Sequence, residues 1–328
     1  MPHRNKVAQQ ELKAWQPIAT PTSSVVTLTL VGALLIVIGA IIQDSHQKLR
    51  ATQCRYDKNS DLDVSECKFQ TNDACQNGNT CNVTIIFTED MDNSNGPIHF
   101  SYGLTNYIQT YRRYVKSISE WQLADKDVDD ATETCAPLEN FNGSLLYPCG
   151  LVANSYFNDT FRGFICQNDN NCQLLTGDEW KQTDISWESD RQTKFRARPL
   201  RSGETNVGPN GQLPSIDDEN FIVWMRTAGL PDFRNLYSTI DRSFSKGDQL
   251  KIEISNEYPV SSFDGTKTLI LEEVNWMSGR NNFLGILYLL VGSGCLTAAC
   301  IFVGLQYYRP RKLADPLLIP EEVRTTPW

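Results

Sequence analysis

Hydrophobic residues concentrate in two stretches of this 328-residue chain. Gln16 to Gln43 and Asn281 to Tyr308 contain no charged side chain. Their cores run Val25 to Ile42 and Phe283 to Leu305. About 20 apolar residues at ~1.5 Å rise cross the ~30 Å hydrocarbon layer, so both segments predict transmembrane helices, over 22–42 and 283–305. A signal peptide is the competing reading of the first. It begins some way into the chain, and polar Gln43-Asp44-Ser45 follows it instead of a small-x-small cleavage site. A retained anchor is the expectation. Pro17 and Pro21 should keep the helix out of the preceding tail, and Trp15 suits the headgroup level.

Between the spans the pattern is that of a water-exposed α+β domain dominated by antiparallel sheet. Asn82 to Thr88 reads as a strand. Leu250 to Ile254 alternates strictly, as a half-buried strand does. Thr268 to Val274 and Phe221 to Met225 also read as strands. Pro231 to Asp241 reads as a helix, because Phe233, Leu236, Tyr237 and Ile240 fall at i, i+3, i+4 and i+7. Tyr102 to Ser117 predicts an amphipathic helix or a tyrosine-rich ribbon. Residues 119–148 and Ser202 to Pro214 read as loops.

Charge sets the topology. Arg309, Arg311 and Lys312 follow the second span while Arg280 alone lies close before it, so the positive-inside rule puts both termini in the cytosol. The expected layout is a cytosolic tail (1–21), a span (22–42), an extracellular or lumenal ectodomain (43–282), a span (283–305) and a cytosolic tail (306–328). The cationic cluster at 309–312 reads as a stop-transfer anchor. Two features agree with that layout. Eight of the ten cysteines (Cys54, Cys67, Cys75, Cys81, Cys135, Cys149, Cys166, Cys172) lie in the ectodomain, as disulfides in an oxidising compartment would. Three glycosylation sequons, at Asn82, Asn142 and Asn158, lie there too. Cys135 with Cys149 and Cys166 with Cys172 are the expected pairs; the other four allow three connectivities. Cys295 and Cys300 fall within the second span as free thiols.

Candidate chemistry is sparse. The histidines His3, His46 and His99 are not paired at metal-ligand spacing, and no nucleophile elbow, zinc-protease or phosphate-loop motif occurs. These features argue against an enzyme, a metal site or a cofactor. The net charge of −9 argues against nucleic acid. The second span carries small residues seven apart, Gly285, Gly292 and Ala299, plus Gly294 and Ala298. Such residues let helices approach closely in lipid; the first span, another copy or another protein could be the surface met.

Seven segments, in order, resemble the cell cycle control protein 50 family, also called the ligand-effect modulator family. They are Gln9 to Ile18, Tyr102 to Ser117 (with Asn106, Gln109, Arg112, Arg113 and Tyr114), Pro148 to Phe161, Ile185 to Arg196, Trp224 to Tyr237, Ser262 to Lys267 and Asn281 to Ser293. The resemblance implies a non-catalytic beta subunit of a type-IV P-type ATPase, a phospholipid flippase. It implies a one-to-one partnership in which the ATPase leaves the endoplasmic reticulum for the Golgi, endosomal or plasma membrane. Candidate partner contacts are Trp15, Pro17, Arg112, Arg113, Asn154, Phe157, Gly285, Gly292 and Ala299. Cys54 to Cys81 are spread more widely than the family's compact cluster; a nested pairing, Cys54 with Cys81 and Cys67 with Cys75, is the working assignment. Asn282 stands where the family often has proline. A two-span ligand-gated channel subunit, assembled as a homotrimer, is the alternative from another class, and a cell-surface adhesion protein is a third.

Overall fold

The computed structural model describes residues 20–57, 67–69, 75, 78–126, 133–168, 171–276 and 279–310. These form two units, a helix pair and the body Leu49–Arg280.

The helix pair consists of α1 (Pro21–Gln47) and α7 (Asn282–Tyr308), both long and apolar enough to cross a membrane by length and composition. Thr20 and Ser23 cap α1 reciprocally, and Pro21 occupies its first turn. Asn281 caps α7, its side chain accepting from the Phe283 N–H at 2.9 Å. Asn282 is therefore simply the first helical residue.

In the body the chain runs β1 (Ala51–Arg55), β2 (Cys67–Phe69), β3 (Asn79–Ile86) and β4 (Ile98–Leu104), then the short helices α2 (Arg112–Val115) and α3 (Glu120–Leu123). A hairpin of β5 (Asn140–Phe141) and β6 (Ser144–Leu146) leads to α4 (Leu151–Asn154). Then come β7 (Thr160–Asn168), β8 (Asn171–Leu174), α5 (Glu188–Thr193) and the minimal strands β9 (Glu204–Thr205), β10 (Val207–Gly208) and β11 (Gly211–Gln212). The chain continues through α6 (Glu219–Met225), β12 (Phe233–Ile240), β13 (Gln249–Asn256) and β14 (Lys267–Glu272).

Two antiparallel sheets hold the core. One has the order β1-β14-β4-β12, the other β2-β3-β13-β7-β8. The alternation in β13 works as the sequence predicts: Leu250, Ile252 and Ile254 face inward and are fully buried. Aromatic rings from both sheets meet in the middle, with Phe100 on Phe161 at 5.4 Å and Phe161 on Tyr237 at 4.8 Å between centroids. The first sheet brings the two ends of the body together, with Ala51 opposite Glu272.

One polar cluster interrupts this core. The Lys267 ammonium, 1% exposed, donates to Asp159 Oδ2 at 2.7 Å, to the Tyr258 carbonyl at 2.7 Å and to Asn256 Oδ1. Tyr56 donates to the same carboxylate at 2.7 Å, and the Glu257 and Tyr258 N–H groups donate to its other oxygen. Lys267 lies on β14 and Asn256 on β13, so the cluster ties one sheet to the other.

Three expectations are corrected. Phe221 to Met225 is helical, in α6: Asp218 caps it, accepting from the Asn220 and Phe221 N–H groups, and a run buried at nearly every position carries no period. Phe233 to Ile240 is a strand, β12, paired with β4. A bulge between Leu236 and Ser238 shifts its register, and the added residue converts strict alternation into spacing that mimics a helix. The nested disulfides are replaced by Cys54–Cys67 and Cys75–Cys81. Cys67 faces Ile85 on β3, four positions from Cys81. At ~3.4 Å per residue that is about 14 Å, beyond the ~7 Å a disulfide spans, so Cys54 cannot sit beside both. Cys135–Cys149 and Cys166–Cys172 form as expected, and Cys295 and Cys300 are free.

Candidate functional site

Among the described residues no cluster of three His, Cys, Asp or Glu side chains could hold a metal ion. The groups whose titration is most displaced are interior. Burial pushes the Tyr56, Tyr114 and Tyr258 hydroxyls upward, and burial pulls the Lys267 ammonium down against the opposing charge of Asp159.

The first surface is the seam between the spans. Gly32 on α1 abuts Gly292 on α7, Gly39 lies against Tyr288 and Leu289, and Gly285 lies against Gln43; these glycines and Ala299 are buried. A Cβ added at Gly32 would lie 2.9 Å from the Gly292 carbonyl, and one at Gly292 would lie 2.8 Å from Ile36 Cγ1. The small-residue stripe thus meets the first span. Gly294 lies off the seam, with no atom within 4 Å of an added Cβ. Around the seam Leu30, Leu34, Val37, Leu290 and Phe302 point outward, as lipid-facing or partner-facing residues do.

The second surface lies on the body, along Tyr102 to Ser117. Only residues 112–115 are helical. The segment is pinned from behind. Asn106, at φ 58°, donates its N–H to Asp232 at 2.9 Å. Tyr107 donates to the Pro231 carbonyl at 3.0 Å, and buried Gln109 accepts from the Ala228 N–H at 2.6 Å. Tyr114 and Ser155 share a hydrogen bond of 2.8 Å. The other side chains point out: Ile108, Tyr111 (64% exposed) and Val115 are exposed, as are Arg112, Arg113 and Lys116. The apolar residues at helical spacing therefore do not share one buried face.

Next to this segment a cleft of about 270 Å³ is lined by Ile118, Trp121, Lys194, Phe195, Met225 and Arg226, among others. Lys126 lies 5.1 Å over the Trp121 ring, and Arg226 lies 4.4 Å over the Trp187 ring. Arg226 Nε and Lys194 Nζ both hold the Asp190 carboxylate, at 2.7 and 2.8 Å. The hydrogen bond from Arg226 leads in keeping that carboxyl below its usual range. Sequence reasoning passes over Trp121, Trp187, Lys194 and Arg226 as site residues; a tryptophan in a polar stretch near a cation was the available signal.

The other candidate residues fall elsewhere. Asn154 is buried and donates to the Pro148 and Gly150 carbonyls. Phe157 is buried and stacks on Tyr102 at 3.9 Å. Both are buried within the body. Trp15 and Pro17 lie outside the described residues. Of the sequon residues, Asn142 is exposed at the tip of the β5–β6 hairpin, while Asn82 and Asn158 are half-buried.

The family described as LEM3 (ligand-effect modulator 3) / CDC50 matches residues 42–312. ALA-interacting subunit 3 of Arabidopsis thaliana is 34% identical over 96% of this chain and 89% of its own length. Cell cycle control protein 50A of Bos taurus is 36% identical over 89% of this chain and 85% of its own. Phospholipid-transporting ATPase accessory subunit CRF1 of Saccharomyces cerevisiae is 30% identical over 100% and 90%. With a match that runs from the end of the first span through the body and the whole second span, the chain belongs to the LEM3/CDC50 family.

Proposed function

We propose that the chain is the non-catalytic accessory subunit of a phospholipid-translocating P-type ATPase, its partner in a heterodimer. The observation that carries this reading is the family match across 42–312, which includes a relative named as such a subunit. The span pair and the outward face of 102–126 supply surfaces for a membrane partner, while the ATP chemistry and the lipid path belong to the ATPase. Both tails lie in the cytosol, and residues 43–282 lie outside or in the lumen with sugars at Asn82, Asn142 and Asn158. The subunit helps the ATPase fold and leave the endoplasmic reticulum, and supports flipping of phospholipid to the cytosolic leaflet. It does so as a clamp: the spans pack beside the pump and the body covers its outer loops. A bound subunit shifts the pump between conformations only by its difference in affinity for them.

Affinity capture of the tagged full chain from membranes, followed by mass spectrometry, tests the partnership. A P-type ATPase should dominate, and co-expression should raise its surface delivery and uptake of fluorescent lipid. Lipid movement in liposomes containing this chain alone would overturn the reading.

A further inference from the structure

We propose that the outward face of the sheet β1-β14-β4-β12 holds a zwitterionic phospholipid headgroup of the outer leaflet, a phosphodiester joined to an ammonium by a short linker. This goes beyond the accessory-subunit reading. It rests on one part of it, the placing of residues 43–282 outside or in the lumen.

The site is a groove of about 550 Å³, within the size range of small-molecule pockets. Strand register lays out its floor. Thr268 and Arg234 both stand opposite Gly103, and Ile270 stands opposite Gln53. Alternate residues of a strand share a face. Thr268, Ile270 and Glu272 therefore point away from the core that Leu269 and Leu271 fill. Gly103 brings no side chain to this floor; an added Cβ would run into Thr268 Oγ1. Arg234, Arg280, Glu272 and Asp232 line the same groove.

Charge names the ligand, because the signs alternate. Glu272 accepts from Arg234 Nη1 at 2.7 Å and from the Arg280 N–H, and Asp232 lies just before Arg234 in the chain. A purely anionic ligand would meet carboxylates among the guanidinium groups, and a simple cation the reverse. A ligand carrying both signs close together satisfies the whole row. Arg280 has no ion pair to any described residue, and the Arg234 side chain, though paired, is 42% exposed. These two take the phosphate. The Glu272 carboxyl is 4% exposed, and burial pushes it above its usual range in spite of Arg234. A second cation beside it, the ammonium, favours its charged form.

The chain indicates the source. Arg280 directly precedes Asn281, the cap of α7, and Ala51 follows soon after α1 ends at Gln47. Both line the groove, so a few residues of backbone tether it to the span ends, where phospholipid headgroups are concentrated.

The test titrates the purified full chain in detergent, by calorimetry, with glycerophosphoethanolamine, glycerophosphocholine, glycerophosphoglycerol and inorganic phosphate. The two zwitterions should bind about tenfold tighter than the two anions, and Arg280→Gln should weaken them about tenfold while Arg280→Lys keeps most of the affinity. Glu272→Gln should erase the preference for zwitterions over glycerophosphoglycerol, a change that mere loss of structure would not produce selectively. Unreduced mobility reports whether the disulfides have formed; if a variant fails that check, the ligand preference of the wild type carries the test. In a second arm the chain is purified from nanodiscs of mixed phosphatidylcholine, phosphatidylethanolamine and phosphatidylglycerol, and retained lipid is identified by mass spectrometry. Wild type should retain the zwitterionic lipids, and Arg280→Gln should retain less. Equal binding of all four soluble ligands, or of none, overturns the inference. So does binding of soluble headgroups with no lipid retained, which would assign the groove to free phosphodiesters, or a co-purifying peptide cross-linked at Arg280. Unglycosylated chain with reduced thiols at 43–282 removes the outward placement instead, and calorimetry would still report on the groove, so the two failures are distinct.

Discussion

Lys267 shows how much one residue can decide. Its ammonium is buried beside the Asp159 carboxylate, with Asn256 and the Tyr258 carbonyl as further acceptors, so removing either charge leaves the other uncompensated. Lys267→Met should cost roughly 3–5 kcal/mol in chemical denaturation, and Lys267→Met with Asp159→Asn should cost less than the single change. The sequence shows Lys267 only as a polar residue at the start of a strand; its partner, the middle residue of the Asn158 sequon, is over a hundred positions away. Glu219 acts at the same scale on the acid side. Burial alone would raise its carboxyl, but N–H groups of Ser186 and Asp184, the Ser186 hydroxyl and Arg191 outweigh burial and lower it. A lowered carboxyl contributes stability above the ordinary pKa, and that contribution vanishes as pH falls through the folded value. The melting temperature should therefore drop below about pH 4, less steeply in Glu219→Gln.

At the scale of elements, legibility followed the strength of the apolar pattern. The spans are unbroken apolar runs and β13 alternates strictly, and each was read within a few residues. β12 was read as a helix because its bulge displaced the alternation. α6 was read as a strand because Phe221, Ile222, Trp224 and Met225 are all buried, leaving only the Asp218 cap as a signal. The β5–β6 hairpin was passed over although Asn142-Gly143 sits at its turn, both with positive φ (51° and 81°) as that turn demands. The small-residue stripe was legible, but its target was not, since spacing along one helix does not name the opposite surface. The seam gives a differential test. Gly292→Leu should abolish cross-linking between cysteines placed across α1 and α7, because its side chain meets Ile36 and the Gly32 backbone. Gly294→Leu should leave cross-linking intact.

For the whole molecule, disulfides supplement a body whose polar segments bury little. Cys54–Cys67 joins the two sheets, since β1 and β2 belong to different ones. Cys135–Cys149 closes a separation of 14 residues and Cys166–Cys172 one of 6. In the chain-entropy account, replacing the first pair by serines should cost about 3 kcal/mol and the second about 2, read as shifts in denaturation midpoint. The exposed cationic face was half legible. Arg112 and Arg113 were named from the resemblance, whereas Trp121, Trp187 and Arg226 come together only through α3, α5 and α6.

The pairing of Ala51 with Glu272 makes the beginning and the finish of the body near neighbours, roughly 5 Å apart at those positions. A few glycines could then splice one to the other, turning the head into a closed ring free of both anchors. Cut open afterwards at the Asn142-Gly143 tip, such a ring would be a permuted, water-soluble head whose strands read in a different order and whose exposed surface along 102–117 is unaltered.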